Sequence, residues 1–213
     1  MATLNSIVYN IASAMEREKD PEYVERVRFS VIYYGPMFIR RDQEKNKLLP
    51  VKSIQPIVVE MAKINASELP DVTVGAEVYR SKEPLPWAVR LKTRDAVDYV
   101  GSVDKSEPYS LISAREAGLM EHNKFSKSLP RYYFMNGFLY LKNVSPSKVL
   151  VEAAWENPTT LERFLKTDGT LAYTEEMEYP LPDDMIQGIT LGLLSGELKL
   201  VGDGQPNEVQ IDG

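Results

Sequence analysis

The stretch Arg131-Tyr-Tyr-Phe-Met-Asn-Gly-Phe-Leu-Tyr-Leu-Lys142 decides the fold. Two runs of strand-forming residues flank Asn136-Gly137, and both of these residues tolerate the positive φ that a type I′ hairpin turn requires. A two-residue turn also sets the register, because each residue then faces the one at the same distance on the other side of the turn. The predicted pairs are Phe134 with Leu139, Tyr132 with Leu141, Met135 with Phe138, and Tyr133 with Tyr140.

Both faces of this hairpin are apolar, whereas a hairpin at the protein surface would have one polar face. One face can pack on the core of the chain itself. The other face requires a second layer, which is either a helix of the same chain or a neighbouring subunit. Tyr133 and Tyr140 are therefore candidate interface residues, with burial inside the chain as the alternative.

The composition limits the classes of function. The chain has 213 residues and a net charge of −6, which opposes a role in wrapping or tracking nucleic acid. It has no cysteine, which excludes thiolate catalysis and cysteine-bound zinc. Its single histidine, His122, disfavours a histidine-based catalytic triad or a metal site with several histidines. No signal peptide and no apolar run of about 18 residues is present, so no membrane span is expected.

The sequence contains no motif typical of an active site. Neither a phosphate-binding glycine loop nor a dinucleotide-binding fingerprint is present. Asp183 and Asp184 could act as paired carboxylates, but acids directly after Pro180-Leu-Pro182 are better explained as the first turn of a helix. The sequence therefore predicts a protein that is not an enzyme and that has no cofactor and no metal site.

The remaining elements follow from hydrophobic periodicity. Residues 3–17 and a segment starting at Asp20-Pro21 form a helical pair. Thr3 or Asn5 is the expected cap of the first helix and Asp20 that of the second, and Gly35-Pro36 is expected to interrupt or kink the second helix. A β region follows, then a helix and the hairpin, a further strand, and a last helix. The predicted ranges are strands at Ile54–Ile64, Val72–Arg80, Trp87–Lys92, Ala96–Val103 and Lys148–Trp155, and helices at Lys105–Asn123 and from Pro182 to about Leu200.

These elements predict an α+β fold in which an N-terminal helical pair and a C-terminal helix surround a central antiparallel β region. Residues 1–200 are expected to form a single domain, and residues 201–213 an extended C-terminal tail. The tail has only Val209 and Ile211 to bury, so we expect it to become ordered on binding a partner.

The last helix carries glycine at every fourth position, Gly188, Gly192 and Gly196. Each glycine inside a helix costs about 1 kcal/mol relative to alanine. A stripe of small residues allows another backbone to approach closely. We therefore predict that these glycines form an interface with an N-terminal helix, in the same chain or in the next one. The alternative is that the helix breaks near Gly192 and that the glycines belong to turns.

The order of the segments resembles that of the small head–tail connector proteins of tailed bacteriophages, most of all those of short-tailed, crAss-like phages. The segments that carry the resemblance are the opening helical pair, Arg80–Pro86, Tyr99–Asp104, the Tyr/Phe-rich hairpin, and Tyr179–Ile186 on a helix ending in Gly196-Glu-Leu-Lys-Leu200. The resemblance covers most of the chain as an arrangement, although no single segment is diagnostic.

The resemblance implies a structural virion protein in the phage neck, assembled in the cytoplasm of the bacterial host. Such proteins form rings below the portal, commonly of twelve copies, which extend the DNA channel and carry later tail components. By the same resemblance, residues 202–213 would dock on the portal, and DNA would pass through without specific binding. The alternatives are a tail-tube, stopper or minor capsid protein, a small enzyme with an unrecognised site, and a binding module.

Overall fold

The structure is a computed structural model that describes residues 2–64, 78–114, 116 and 129–201. Its α-helices lie near the two ends of the chain, and its strands lie between them, which confirms the predicted α+β fold. The helices are α1 (Leu4–Ala14), α2 (Pro21–Asn46) and α3 (Asp183–Ser195), with 3₁₀ helices at Val51–Ser53 and Pro158–Arg163. The strands are β1 (Gln55–Ile64), β2 (Val78–Ser81), β3 (Val97–Gly101), β4 (Ser110–Leu111), β5 (Arg131–Met135), β6 (Phe138–Lys142) and β7 (Lys148–Ala153).

In the part of the chain that the structure describes, the strands form one sheet in the order β3-β7-β1-β2-β6-β5-β4. Neighbouring strands are antiparallel except for the edge pair, in which β4 runs parallel to β5. The long strand β1 joins the two halves, because it pairs with β7 over Gln55–Glu60 and with β2 over Met61–Ile64. The predicted central antiparallel region is therefore confirmed.

The predicted hairpin is formed by β5 and β6. Asn136 and Gly137 have φ angles of 52° and 79°, as a type I′ turn requires. The observed register pairs Phe134 with Leu139, Tyr132 with Leu141, Met135 with Phe138, and Tyr133 with Tyr140. All four predicted pairs are confirmed, because turn length and alternation together allow only one register.

The two faces of the hairpin belong to two different apolar clusters. Tyr132, Leu139 and Leu141 join the main core, which lies between the sheet and the helices. Tyr133 and Tyr140 join a smaller cluster with Ile64 and Ile112. The apolar character of both hairpin faces therefore corresponds to burial on both sides of the sheet.

The two N-terminal helices form as predicted, with one difference. Thr3 caps α1 by accepting a hydrogen bond from Ser6 N–H at 3.1 Å, and Asp20 caps α2 by accepting one from Tyr23 N–H at 3.2 Å. Pro36 does not interrupt α2, which continues to Asn46. A proline inside a helix costs about 3 kcal/mol. The helix survives because buried residues hold it on both sides of Pro36, namely Val27, Val31 and Ile39.

The strand predicted at Trp87–Lys92 is wrong. This segment makes only isolated bridges, Ala88 with Trp155 and Arg90 with Asp95. Val89 N–H donates to the Ala154 carbonyl at 2.8 Å just after β7, so the segment is a loop packed at the end of that strand. Isolated contacts of this kind do not form the continuous pairing that defines a strand. The strand predicted at Val72–Arg80 is present from Val78 onward, and its first residues lie outside the described residues.

The helix predicted at Lys105–Asn123 is wrong in its first part. Residues 105–109 form a turn and an edge contact, in which Tyr109 N–H donates to the Val100 carbonyl at 2.8 Å, and β4 follows. The hydroxyl of Ser113 accepts a hydrogen bond from Glu116 N–H at 3.2 Å, the geometry of a helix cap. Residues 117–123 lie outside the described residues.

The last helix is shorter than predicted. It ends at Ser195, and Gly196 follows with a φ of 77°, the left-handed conformation that terminates many helices. The chain then turns back, and Leu198 N–H donates to the Gly192 carbonyl at 2.8 Å. The prediction of a helix to about Leu200 is therefore wrong, because Gly196 acts as a helix end and not as a helix residue.

No helix within the described ranges combines the length and the apolar character that a membrane span needs.

Candidate interface surfaces

The acidic side chains of the described residues were predicted to form no metal site. Within residues 2–64, 78–114, 116 and 129–201, no group of three or more acidic or histidine side chains is arranged to hold a metal ion. His122 lies outside these ranges. Asp183, the first residue of α3, is tied to the segment before β1: Lys52 donates to Asp183 at 2.8 Å, and this hydrogen bond lowers the pKa of Asp183. Apolar surfaces are therefore the candidates for function.

The three glycines of the predicted stripe contact different surroundings. A side chain at Gly188 would place its Cβ 2.7 Å from Cε1 of Phe38 on α2, so α3 approaches α2 closely at this point. A Cβ at Gly192 would lie 2.7 Å from Leu198, where the chain folds back over α3. Gly196 is exposed at the helix end, and a Cβ at this position would meet open space. Their role in an interface with another subunit stays a prediction.

Tyr133 and Tyr140 face each other across the hairpin with stacked rings. Their ring centroids are 5.0 Å apart and the ring planes differ by 10°. Burial raises the pKa of Tyr133, and the neighbouring Tyr140 adds to this effect. Beside them, the guanidinium of Arg80 lies 4.5 Å from the ring centre of Phe138, a cation–π contact. The rings are buried within this cluster, and a contact with a second subunit stays a prediction.

Val209 and Ile211 lie outside the described residues, but the segment that precedes them is described and is fixed to α2. Residues 198–201, the C-terminal strap, cross α2. Tyr34 O–H donates to the Lys199 carbonyl at 2.7 Å, and Val201 N–H donates to the Ser30 hydroxyl at 2.9 Å. Ser30 is fully buried, so the strap is fixed to the helix at this point.

An apolar groove beside the strap was missed by the sequence analysis. Its volume is about 470 Å³, and its walls combine residues of α2 with the strap and the loop after β7. The lining residues are Phe29, Ile32, Tyr33, Pro36, Met37, Arg40, Glu156, Asn157 and Val201. Phe29 and Tyr33 are 59% and 64% exposed. Aromatic residues with this exposure are typical of protein interfaces.

The sequence did contain a signal for this groove. Phe29, Tyr33 and Met37 recur at every fourth position, so they share one face of α2. The buried stripe of the same helix includes Val27 and Val31. A second apolar stripe beside the buried one indicates a second contact surface. The sequence analysis assigned only one apolar face to α2 and therefore missed it.

Trp87 forms a second exposed apolar surface. Its side chain is 72% exposed, on the loop that was wrongly predicted as a strand. The loop is fixed to the hairpin turn, since Leu85 N–H donates to the Gly137 carbonyl at 2.7 Å. Trp87, Phe134 and Trp155 line a recess of about 220 Å³ there. Tryptophan is frequent among the residues that dominate interface energies.

One protein-family sequence model matches nearly the whole chain. It is that of a crAss ring family, described as phage tail ring protein 2, and it covers residues 6–210. No curated protein sequence matches the chain. The chain therefore belongs to the phage tail ring protein 2 family of crAss-like phages.

Membership in this family confirms the resemblance and gives the chain a general role. It is a ring-forming structural component of a phage tail, and as a ring subunit it contacts further copies and other tail proteins. Exposed aromatic side chains such as Phe29, Tyr33 and Trp87 agree with a subunit that is completed by its neighbours.

Proposed function

We propose that this protein forms a ring below the portal of the virion, where it extends the DNA channel and joins the head to the tail. The family match is the observation that carries this proposal. The ring is proposed to contain about twelve copies, built by one head-to-tail contact repeated around the axis. It has no catalytic role, and the ring is assembled in the host cytoplasm before it becomes part of the virion.

The proposal divides the chain into two parts. Residues 1–200 act as the connector domain, and residues 201–213 act as an extended tail that contributes an interface through Val209 and Ile211. Gly188, Gly192, Tyr133 and Tyr140 support that interface by fixing α3 and the hairpin. The fold-back of the strap over Gly192 supports this division, because it directs the chain away from α3 and across α2.

The first experiment is native mass spectrometry of the purified protein, alone and mixed with the portal protein of the same phage. We expect one multi-subunit species that binds the portal. The reason is that the exposed aromatic surfaces of one subunit require partner surfaces. A protein that remains monomeric under both conditions would contradict the ring. A ring that binds another tail ring protein but not the portal would contradict only its position.

The second prediction concerns DNA. We expect no duplex binding at micromolar protein and about 150 mM salt, because binding is driven by counterion release and requires uncompensated cations. The chain has 25 basic and 31 acidic side chains, so a ring of such subunits is strongly acidic as a whole. Fluorescence anisotropy with a labelled duplex measures this directly. Tight, salt-sensitive binding would contradict a channel that DNA passes without adhering.

A further inference from the structure

We propose that the groove on α2 receives the C-terminal segment, residues 202–213, of the neighbouring subunit. The proposal rests on the proposed ring and deepens it, because it names the two surfaces that meet between adjacent copies. The groove is defined by Phe29, Tyr33, Met37 and Val201, together with its other lining residues given above.

The groove is a suitable receptor for a short apolar segment. Phe29, Tyr33 and Met37 line one side of it at successive turns of α2. Two of these side chains are more than half exposed, although the other face of the same helix is fully buried. The rings of Tyr33 and Tyr34 meet edge to face with centroids 5.3 Å apart. This contact and the anchored strap hold the groove in shape before any partner arrives.

The segment starts at the groove. Val201 is both a lining residue and the last residue of the strap, where its N–H group donates to Ser30. Twelve residues follow it in the sequence. Fully extended, they span up to about 40 Å. Every subunit of a ring therefore presents a groove and, at the same place, the beginning of a segment that can extend well beyond that groove.

The spacing of the apolar residues favours the neighbouring groove over the subunit's own. Along α2, Phe29 and Met37 are separated by eight residues, which is about 12 Å. Val209 and Ile211 follow Val201 by eight and ten residues, which in an extended chain is about 27 and 34 Å. An extended segment thus carries these two side chains past its own groove. In a ring, the rotation that relates adjacent copies supplies an identical groove on the next subunit.

The chemistry of the segment matches that of the groove. Val209 and Ile211 alternate with Glu208, Gln210 and Asp212, so an extended backbone directs both apolar side chains to one side. The segment carries three acids, Asp203, Glu208 and Asp212, and no base. At the groove, Arg40 is held by its Nε–H donating to the Arg90 carbonyl at 2.7 Å. Arg40 and Glu156 are the one base and the one acid among the lining residues, so the match between segment and groove rests on the apolar side chains.

The absence of natural cysteine makes a direct test possible. One copy carries Ile211→Cys and a second copy carries Met37→Cys, and the two are mixed, assembled and oxidised. We expect a disulfide-linked dimer on a non-reducing gel. Ile211→Cys mixed with Leu48→Cys is the matched control, because Leu48 is also exposed but lies after the far end of α2. This control pair is expected to remain unlinked.

The outcomes separate this proposal from the ring itself. A link between the two singly substituted copies supports the neighbouring groove. A link that forms only within a chain carrying both substitutions overturns it, since the segment would then occupy its own groove. Rings that assemble, as judged by native mass spectrometry, but never link also overturn it while leaving the proposed ring intact. A protein that forms no ring overturns both.

A second measurement uses a shortened chain that ends at Val201. We expect its melting temperature to remain near that of the full chain, because the connector domain keeps all of its described contacts. Association of the subunits is expected to weaken by about tenfold or more, as is common when central apolar anchors are removed. A shortened chain that forms rings with unchanged affinity would overturn the proposal.

Discussion

Leu139→Ala is expected to lower the free energy of unfolding by about 2–5 kcal/mol, the usual cost of removing a fully buried leucine side chain. Leu139 is completely buried in the main core, as the second residue of β6. Its N–H group donates to the buried hydroxyl of Ser81 at 3.2 Å, so the surrounding backbone cannot collapse freely into the cavity. Chemical denaturation followed by tryptophan fluorescence measures this change.

The matched control for this variant is Leu111→Ala. It removes the same atoms from a strand of the same sheet, but Leu111 is 56% exposed on β4. We expect a change within about 0.5 kcal/mol, as for most surface substitutions. Equal effects of the two substitutions would contradict the assignment of the inward-facing side of the hairpin.

Gly192→Leu is expected to destabilise the fold by about 2–4 kcal/mol and to displace the strap. A Cβ at this position would lie 2.7 Å from Cγ and Cδ1 of Leu198, and a full leucine side chain cannot fit there. Moving Leu198 also breaks the hydrogen bonds that fix Lys199 and Val201 to α2, at about 1 kcal/mol each. Denaturation measures the loss of stability.

Two further variants make this result specific. Gly192→Ala is expected to cost less than Gly192→Leu, about 1–2 kcal/mol, because its Cβ alone already lies 2.7 Å from Cγ and Cδ1 of Leu198 and forces that side chain to shift. Gln187→Leu adds a leucine to an exposed position of the same helix and is expected to change stability by less than about 0.5 kcal/mol. A Gly192→Leu variant as stable as the Gln187→Leu variant would contradict the close packing of the strap on α3.

The predictions from sequence succeeded where a local signal has one structural solution. The Asn136-Gly137 turn fixed four residue pairs, since a two-residue turn and a period of two leave no other register. The caps at Thr3 and Asp20 are equally local, because a side-chain oxygen satisfies N–H groups only two or three residues away.

The predictions failed where residue composition was used to infer a structure that depends on contacts with other parts of the chain. Trp87–Lys92 is rich in strand-forming residues, but a strand also needs a neighbour with free backbone groups, and this segment forms only isolated bridges. Gly196 was assigned to the helix because its spacing matched the stripe. Its left-handed conformation instead ends the helix, and a four-residue spacing alone does not distinguish these roles.

By itself, the sequence determined the α+β class, the hairpin with its register, the two-sided apolar character of that hairpin, and the resemblance to phage ring proteins. These depend on turn chemistry, periodicity and the order of segments, all of which can be read from the sequence directly. Only the tertiary structure decided that Phe29, Tyr33 and Met37 line an open groove and that the chain reaches Val201 beside them. The physical reason is that the exposure of a side chain is set by tertiary packing and not by local sequence. Whether an apolar stripe is covered depends on what packs over it, and residues far apart in sequence supply that cover.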